Sequence, residues 1–441
     1  MIPLVASRPP LAHTLAEWAV RLAPTPDDLA LASRALLDTV SVGLAARREP
    51  ILRTVTSLTE EARWATACHV LDFDDLHLPS TTHISTVCVP VAAALGAGAR
   101  SYLAGAGVMA RVGTALGWRH YAAGWHATTS AGAIGAAVTA GVALGLDADG
   151  LARAMALAVP AGGGVQRSFG TDAKSLQVGF AAHAGVRAAR LAAAGATADP
   201  TALDQWMQLL GGAPFSVETS GTAIPGGLAV KLHPCCYALQ RPMGAAGQLR
   251  ADGVRPSEIT SITVRTPAAT LVPLIHADPR TGLEAKFSME YAVSAVLLAD
   301  HPGLAAFTDD AVLDPHVRRL MALVRVEAGA DADSVEGGGC GPGGSSGALL
   351  SGQVEVLVST GTASHRATLV HPPGSPDHPP GARQLLDKAT DCLKTSDVAP
   401  DDITWGTAGD VLRDQLDHGR ARSASPRQQT TPDRATAQRQ R

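Results

Sequence analysis

The densest run of chemistry-bearing side chains in this 441-residue sequence is Asp72-Phe73-Asp74-Asp75-Leu76-His77-Leu78-Pro79-Ser80-Thr81-Thr82-His83. Three carboxylates, two imidazoles and three hydroxyls lie between two long apolar segments, more ionisable chemistry than a connection needs. Further candidates follow: His126, Lys174 in Gly170-Thr171-Asp172-Ala173-Lys174, Lys231 in Val230-Lys231-Leu232-His233-Pro234-Cys235-Cys236, and Tyr291 just after Ser288. Lysine is scarce. Of 36 basic residues only Lys174, Lys231, Lys286, Lys388 and Lys394 are lysines, so an interior one is a candidate for function rather than for solubility.

The elements around these residues place most of them at helix ends. Ser57-Leu58-Thr59-Glu60 has capping-box spacing and opens a helix predicted to run to about Val70. Pro90 is expected in the first turn of the next helix, which runs to about Ala97. Asp72 then falls near a helix C-terminus, where the negative dipole end disfavours a carboxylate, and His83 shortly before an N-terminus. His126 precedes a helix over 131–144. Lys174 lies in the first turn of an Ala-rich helix ending near Ala194 with Gly195 behind it, and Tyr291 in the opening turn of a helix over 289–299. A cation in a first turn opposes the dipole at a cost of about 0.3–1 kcal/mol unless an anion sits there too. Free backbone N–H groups, a positive dipole end and a Lys or His together make a carboxylate receptor. If several such ends converge, the site suits a substrate with two or three carboxylates.

The rest of the chain predicts a mainly α protein. Thr25-Pro26-Asp27-Asp28 starts a helix to about Ala46, and helical periodicity continues, through 102–115 and 147–159, to about residue 228. Gly117 to Trp125 reads as a loop. After Gly226-Gly227 short β-like runs appear around 259–264 and 323–326, and 354–358 with 366–370 reads as a hairpin. Helices at 238–249, 289–299 and 309–321 lie among them. The expected organisation is a helical domain from 1–228 plus 379–418, an inserted α+β lid domain over 229–378, and a disordered tail over 419–441. Gly337 to Gly347 is expected to be a mobile Gly-rich loop.

Composition narrows the function classes. Aromatics make up only 4% of residues, against 46% hydrophobic, so the core must be built of Ala, Val and Leu. The net charge of −4 favours neither nucleic acid nor an anionic membrane. Six cysteines without CxxC or metal spacing predict reduced thiols. The N-terminus lacks a signal-peptide pattern and no stretch reads as a membrane span, which leaves a soluble cytoplasmic protein as the expectation. A metal site from Asp72, Asp75, His77 and His83 would need a second acidic cluster that the sequence does not offer. An isoprenoid-type cyclase would need aromatic walls to stabilise carbocations. A non-catalytic helical scaffold would not need polar clusters at interior helix ends.

Taken together, Leu71-Asp72-Phe73-Asp74-Asp75 with Thr82-His83, Gly124-Trp125-His126-Ala127-Thr128 with Ala131-Gly132-Ala133, Gly170-Thr171-Asp172-Ala173-Lys174 and Lys231-Leu232-His233-Pro234-Cys235-Cys236 resemble the MmgE/PrpD family over roughly residues 10–400. That family includes 2-methylcitrate dehydratase, cis-aconitate decarboxylase and iminodisuccinate epimerase. The resemblance implies a helical domain made from both chain ends, an α+β lid, an active site between them, a homodimer, and catalysis of a small polycarboxylate without metal or organic cofactor. It implies Asp72, His83, His126, Lys174, Lys231 and Tyr291 as the active-site set, with Thr82 and Thr128 as substrate contacts. Departures are Leu76 where the family often has Thr, His83-Ile84-Ser85 in place of His-Pro-Ser, and a shorter stretch before Asp72. The expected reaction is proton transfer next to a carboxylate coupled to loss of water. His83, oriented by Asp72, is the expected acid/base; His126 assists the leaving hydroxyl or binds a carboxylate, and Lys174 and Lys231 hold carboxylates.

Overall fold

The computed structural model describes residues 9–211, 221–299, 301–329 and 352–418. Its larger core is a stack of helices: α1 (Leu11–Arg21), α2 (Pro26–Ala45), α3 (Glu60–Val70), α4 (Ser85–Ala94), α5 (Ala99–Ala122), α6 (Ala127–Ala143), α7 (Ala148–Ala158), α8 (Asp172–Ala193) and α9 (Ala202–Leu209). Local signals set the starts. Thr25 and Asp28 form a reciprocal capping box ahead of α2, with Oγ1 of Thr25 accepting from Asp28 N at 3.1 Å and Oδ2 of Asp28 accepting from Thr25 N at 3.0 Å. By length and composition the helix Pro26–Arg48 could cross a membrane, yet it packs inside the helical core against α3 and α4. Small residues let backbones meet. A Cβ on Gly105 would lie 1.8 Å from Oγ1 of Thr139 and 2.6 Å from the carbonyl oxygen of Gly135, so α5 and α6 touch main chain to main chain. Helix α6, buried nearly all round, is the axis against which α5 and α8 lie.

A second hydrophobic core forms around α10 (Gln240–Ala251), α11 (Met289–Leu298), α12 (Pro315–Met321) and a four-stranded sheet. The strands β1 (Ile259–Pro267), β2 (Val324–Gly329), β3 (Val354–Thr360) and β4 (Ser364–Leu369) lie in the order β2-β1-β3-β4, with β1 and β2 parallel and the other pairs antiparallel. Ile262, Val264, Val354, Val356 and Val358 are buried on the face toward the helices. The chain then returns to the first body, where α13 (Ala382–Leu393) packs on α2 and α14 (Ala408–Leu412) on α2 and α4. The chain is thus mainly α with a small mixed sheet.

Several local expectations need correction. Helix α4 begins at Ser85, so Pro90 is its sixth residue and not in its first turn, and His83 sits two residues from the helix start. Helix α5 is broken at Gly117, which adopts φ 66°, and then continues through Trp118 to Ala122 where a loop was expected. Helix α6 starts at Ala127 rather than Ala131, with His126 itself at the N-cap. The 309–321 segment is two helices, because Asp314 caps the second and Pro315 follows it. The Gly337–Gly347 loop and the 419–441 tail lie outside the described residues.

Candidate active site

Helix α3 ends at Val70, and Asp72 follows with φ 51°, a left-handed conformation that Asp tolerates better than most residues. Three consecutive carbonyls at this turn each receive a lysine. Nζ of Lys286 donates to Leu71 at 2.7 Å, Nζ of Lys231 to Asp72 at 2.8 Å, and Nζ of Lys388 to Phe73 at 2.7 Å. The Asp72 side chain takes two more bonds on Oδ1, from Lys174 at 2.9 Å and Lys231 at 2.7 Å. Four of the five lysines therefore converge on Leu71–Phe73. They come from α8, from the Ala229–Pro234 segment, from the turn before α11 and from α13. This resolves the carboxylate at the negative end of a helix: ammonium groups offset both the dipole and the charge. It also identifies the anion at the α8 N-terminus, which is Asp72 itself.

The imidazoles gather beside it. Oδ2 of Asp74 lies 2.8 Å from Nδ1 of His69 and 3.1 Å from Nδ1 of His83, the second contact being too bent for a regular hydrogen bond. Asp72 is 4.0 Å from Nε2 of His83. The carboxylate nearer His83 is therefore Asp74 and not Asp72, whose Oδ1 is occupied by two lysines. His69 lies at the centre of the group, its ring centroid 4.7 Å from that of His83 and 5.8 Å from that of His126. The backbone N–H of His83 donates to Oγ1 of Thr128 at 3.0 Å, tying the loop to the first turn of α6. Nδ1 of His126 lies 3.2 Å from Oε1 of Gln177 on α8.

Asp72, His83, His126, Thr128 and Lys174 line one cavity of about 30 Å³ together with Leu76, Thr81, Tyr121, Tyr237 and Cys236; Phe169 and Phe287 wall it beneath the Lys174 ammonium. That is room for about one water. Several buried polar atoms around it have no partner among the described residues: Oδ2 of Asp72, Oδ1 of Asp74 and Nε2 of both His69 and His126. A larger crevice of about 720 Å³ borders the far side of the loop through Phe73 and Lys388, but its buried cation is already paired, Lys388 with Asp38 at 2.6 Å. The small cavity is where the candidate residues gather.

Burial opposes ionisation of Asp72, but Lys174 and Lys231 outweigh it and hold the carboxyl well below the usual range. Burial likewise opposes the charge on Asp74, and the two imidazoles facing it keep it ionised. Burial pulls His69 down to about 4 and lowers His83 and His126 as well, while the Asp74 carboxylate works the other way on His69 and His83. Asp75 is pushed up to about 7 by burial; it faces Ser85 and lies outside the cavity. Burial also lowers Lys286, to about 8.

Not every candidate arrives at the cavity. Tyr291 is buried in the second core, its hydroxyl donating to the carbonyl of Ala306, because its helix faces the sheet-bearing body rather than the cleft. The hydroxyl of Thr82 pairs with Ser80 at 2.6 Å within the loop and does not line the cavity. Lys231 is wholly buried behind Asp72 and reaches the cavity through that carboxylate. His77 braces the loop through Ser80 and the carbonyl of Pro225, each at 2.6 Å, and His120 bonds Ser130 at 2.9 Å. His69 went unrecognised; its signal was its place one helical turn before Asp72. Lys286 and Lys388 were flagged only by scarcity.

The metal quartet weighed as an alternative, Asp72, Asp75, His77 and His83, does not assemble, since Asp75 and His77 turn to Ser85 and Ser80. A different quartet, His69, Asp72, Asp74 and His83, brings ligand atoms within 4.8 Å of one another. It fits a divalent ion poorly. Oδ1 of Asp72 already holds two ammonium groups that would repel the ion, and His83 faces Asp74 and Asp72 through opposite ring nitrogens. The donors suit proton traffic better.

A helical body with a small sheet-bearing domain, and a lysine–histidine–aspartate cavity beside the turn after α3, defines the architectural class. The MmgE/PrpD N-terminal domain matches residues 62–211 and the MmgE/PrpD C-terminal domain matches residues 233–402. The chain belongs to the MmgE/PrpD family, a family of dehydratase- and lyase-like enzymes. No curated protein matches it.

Proposed function

We propose that the protein is a cofactor-independent lyase that dehydrates a small hydroxylated di- or tricarboxylic acid, most closely a 2-methylcitrate-type substrate, by general acid/base catalysis. The observation that carries this reading is the meeting of His83, His126 and Lys174 around the Asp72 carboxylate in one cavity. Removing a proton next to a carboxylate builds negative charge on that group; Lys174 and the positive dipole end of α6 stabilise it. One imidazole takes the carbon-bound proton and another returns a proton to the departing hydroxyl. Phe169 and Phe287 make the wall beside Lys174 apolar, and the lower local polarity strengthens each of these interactions. The same groups serve decarboxylation or epimerisation, which share the carbanion-like intermediate. Leu76, on the cavity wall in place of a hydroxyl, removes one polar contact and favours an acid with an apolar substituent there.

Ligand pockets generally occupy about 300–1,000 Å³, so substrate entry requires the α+β domain, acting as a lid, to part from the helical body. Lys231 and Lys286 belong to that lid while Asp72 belongs to the body, so closure completes the lysine set. A cytoplasmic homodimer is the assembly proposed. The test is incubation of the purified protein with 2-methylcitrate, cis-aconitate and iminodisuccinate, with products identified by NMR. Water loss from 2-methylcitrate, undiminished after prolonged EDTA treatment, is the expected result, and His83→Ala should lower kcat by about 10²–10⁴-fold with folding intact. Turnover of none of the three acids, or wild-type turnover by His83→Ala, would sink the proposal.

A further inference from the structure

The two imidazoles of the cavity differ in what stands behind them, and the difference assigns their roles. Behind His83 is the carboxylate of Asp74; behind His126 is the side-chain amide of Gln177. The orientation of that amide is settled by backbone groups whose hydrogen-bonding roles cannot reverse. Oε1 of Gln177 accepts from the N–H of Val165 at 3.1 Å, and Nε2 donates to Oγ of Ser168 at 2.7 Å and to the carbonyl of Val165 at 3.5 Å. An oxygen therefore faces His126, so Nδ1 of His126 must carry the hydrogen. Nε2 is left with a bare lone pair, and it has no partner among the described residues.

Resting on the lyase reading above, we propose that Gln177 is a positioning residue that locks His126 as the Nδ1–H tautomer and so makes Nε2 of His126 the proton acceptor of the reaction, with His83, as the imidazolium that the Asp74 carboxylate favours, as the proton donor. In the elimination, Nε2 of His126 takes the proton from carbon, and the C–H electron pair becomes the new C=C bond. The C–O bond breaks with its electron pair on oxygen, and the His83 imidazolium gives that oxygen its Nε2 proton, so that water leaves and His83 returns to the neutral ring. A neutral His126 with a bare Nε2 cannot hydrogen-bond an ionised carboxylate, so it is not a carboxylate anchor. That task stays with Lys174.

The surrounding structure is shaped around this contact. The N–H of His126 donates to the carbonyl of Gly164 at 3.0 Å, and Trp125 bridges Val165. Gly164 has φ 114°, and a Cβ there would lie 2.6 Å from Oε1 of Gln177 and 2.2 Å from Oγ1 of Thr129. Only glycine lets the amide reach the ring. The ionisable groups facing His126 are His69 on α3, His83 before α4 and Lys174 on α8; Phe169 closes the remaining side. Burial and these groups all disfavour a second proton on the ring.

The test reads the ring directly, without substrate. Long-range ¹H–¹⁵N spectra of the full-length protein labelled with ¹⁵N-histidine, with His126→Gln used for assignment, should show Nδ1 of His126 protonated and Nε2 bare. That state should persist from about pH 8 down to about pH 5.5, across the range where an ordinary histidine titrates. Gln177→Glu places a carboxylate behind the ring and should raise the His126 pKa by about 1–3 units. The acid limb of kcat/KM should move up by the same amount, with activity recovering at higher pH. A merely structural role would lower activity equally at every pH. A wild-type ring protonated on Nε2, a ring that titrates near 6.5, or a Gln177→Glu variant with an unmoved pKa would each overturn the assignment, and the wild-type spectrum decides even if the variant fails to fold. The tautomer and the reaction fail separately: a locked ring in a protein that turns over no acid sinks only the lyase reading, and turnover with the opposite tautomer sinks only the role of Gln177.

Discussion

Asp72→Asn isolates the charge at the centre of the site, because asparagine keeps the size, accepts a hydrogen bond and also tolerates the left-handed backbone of φ 51°. The substitution leaves the ammonium groups of Lys174 and Lys231 without their anion. Lys231 is wholly buried and Lys174 nearly so. Removing one partner of a buried ion pair costs about 3–5 kcal/mol, because an uncompensated charge is left behind. Part is retained, since Lys231 keeps its bond to the Asp72 carbonyl at 2.8 Å and the new amide oxygen accepts one of the two former bonds. The expected deficit between about pH 5 and 8 is therefore at the lower end, about 3 kcal/mol. The pH dependence has a definite sign. The folded-state pKa of Asp72 lies below its ordinary value of 3.8, so its contribution is fully present above 3.8 and is lost as pH falls through the folded value. The wild type and Asp72→Asn should converge in strong acid. They should also approach each other in alkali. Asp72 raises the pKa of Lys231, and without it burial favours the neutral amine. Urea denaturation followed by tryptophan fluorescence across the pH range measures this. A deficit under about 1 kcal/mol at neutral pH, or one that does not close in acid, would refute the account of the turn as a lysine-neutralised helix end.

Two further outcomes probe the periphery. Lys388→Met should destabilise by about 3–5 kcal/mol by stranding Asp38, whose carboxyl burial already pushes up, and the double variant Asp38→Asn/Lys388→Met should recover most of that loss in the same denaturation assay. Tyr291→Phe removes only the bond to the Ala306 carbonyl, so it should cost about 1–3 kcal/mol and leave kcat unchanged; a hundredfold fall in kcat would return Tyr291 to the reaction.

Much of the site was legible in the residue order. Helix starts are local, so a cap or a first-turn proline places His83, His126, Lys174 and Tyr291 at N-termini without knowledge of the fold, and each lies within two residues of a helix start or inside its first turn. Proline 90 misled because a helix that is packed on all sides can absorb one lost backbone bond. Gly117 was read as a loop because periodicity resumes too briefly after it to be recognised.

What residue order determined alone was the inventory: a helix-rich chain with a β-like insertion, five lysines, and an acid/histidine run between apolar segments. Which inventory members meet was decided only in three dimensions. Residues 72, 174, 231, 286 and 388 are brought together by the packing of α3, α8, α13 and the second core, and no local rule couples them. The same packing sends Tyr291 elsewhere, gives His83 to Asp74 rather than Asp72, and places an amide behind His126. Electrostatics inside a protein depends on distances of a few ångströms and on burial. Both belong to the folded chain, which is why the sequence names the participants and the tertiary structure assigns their partners.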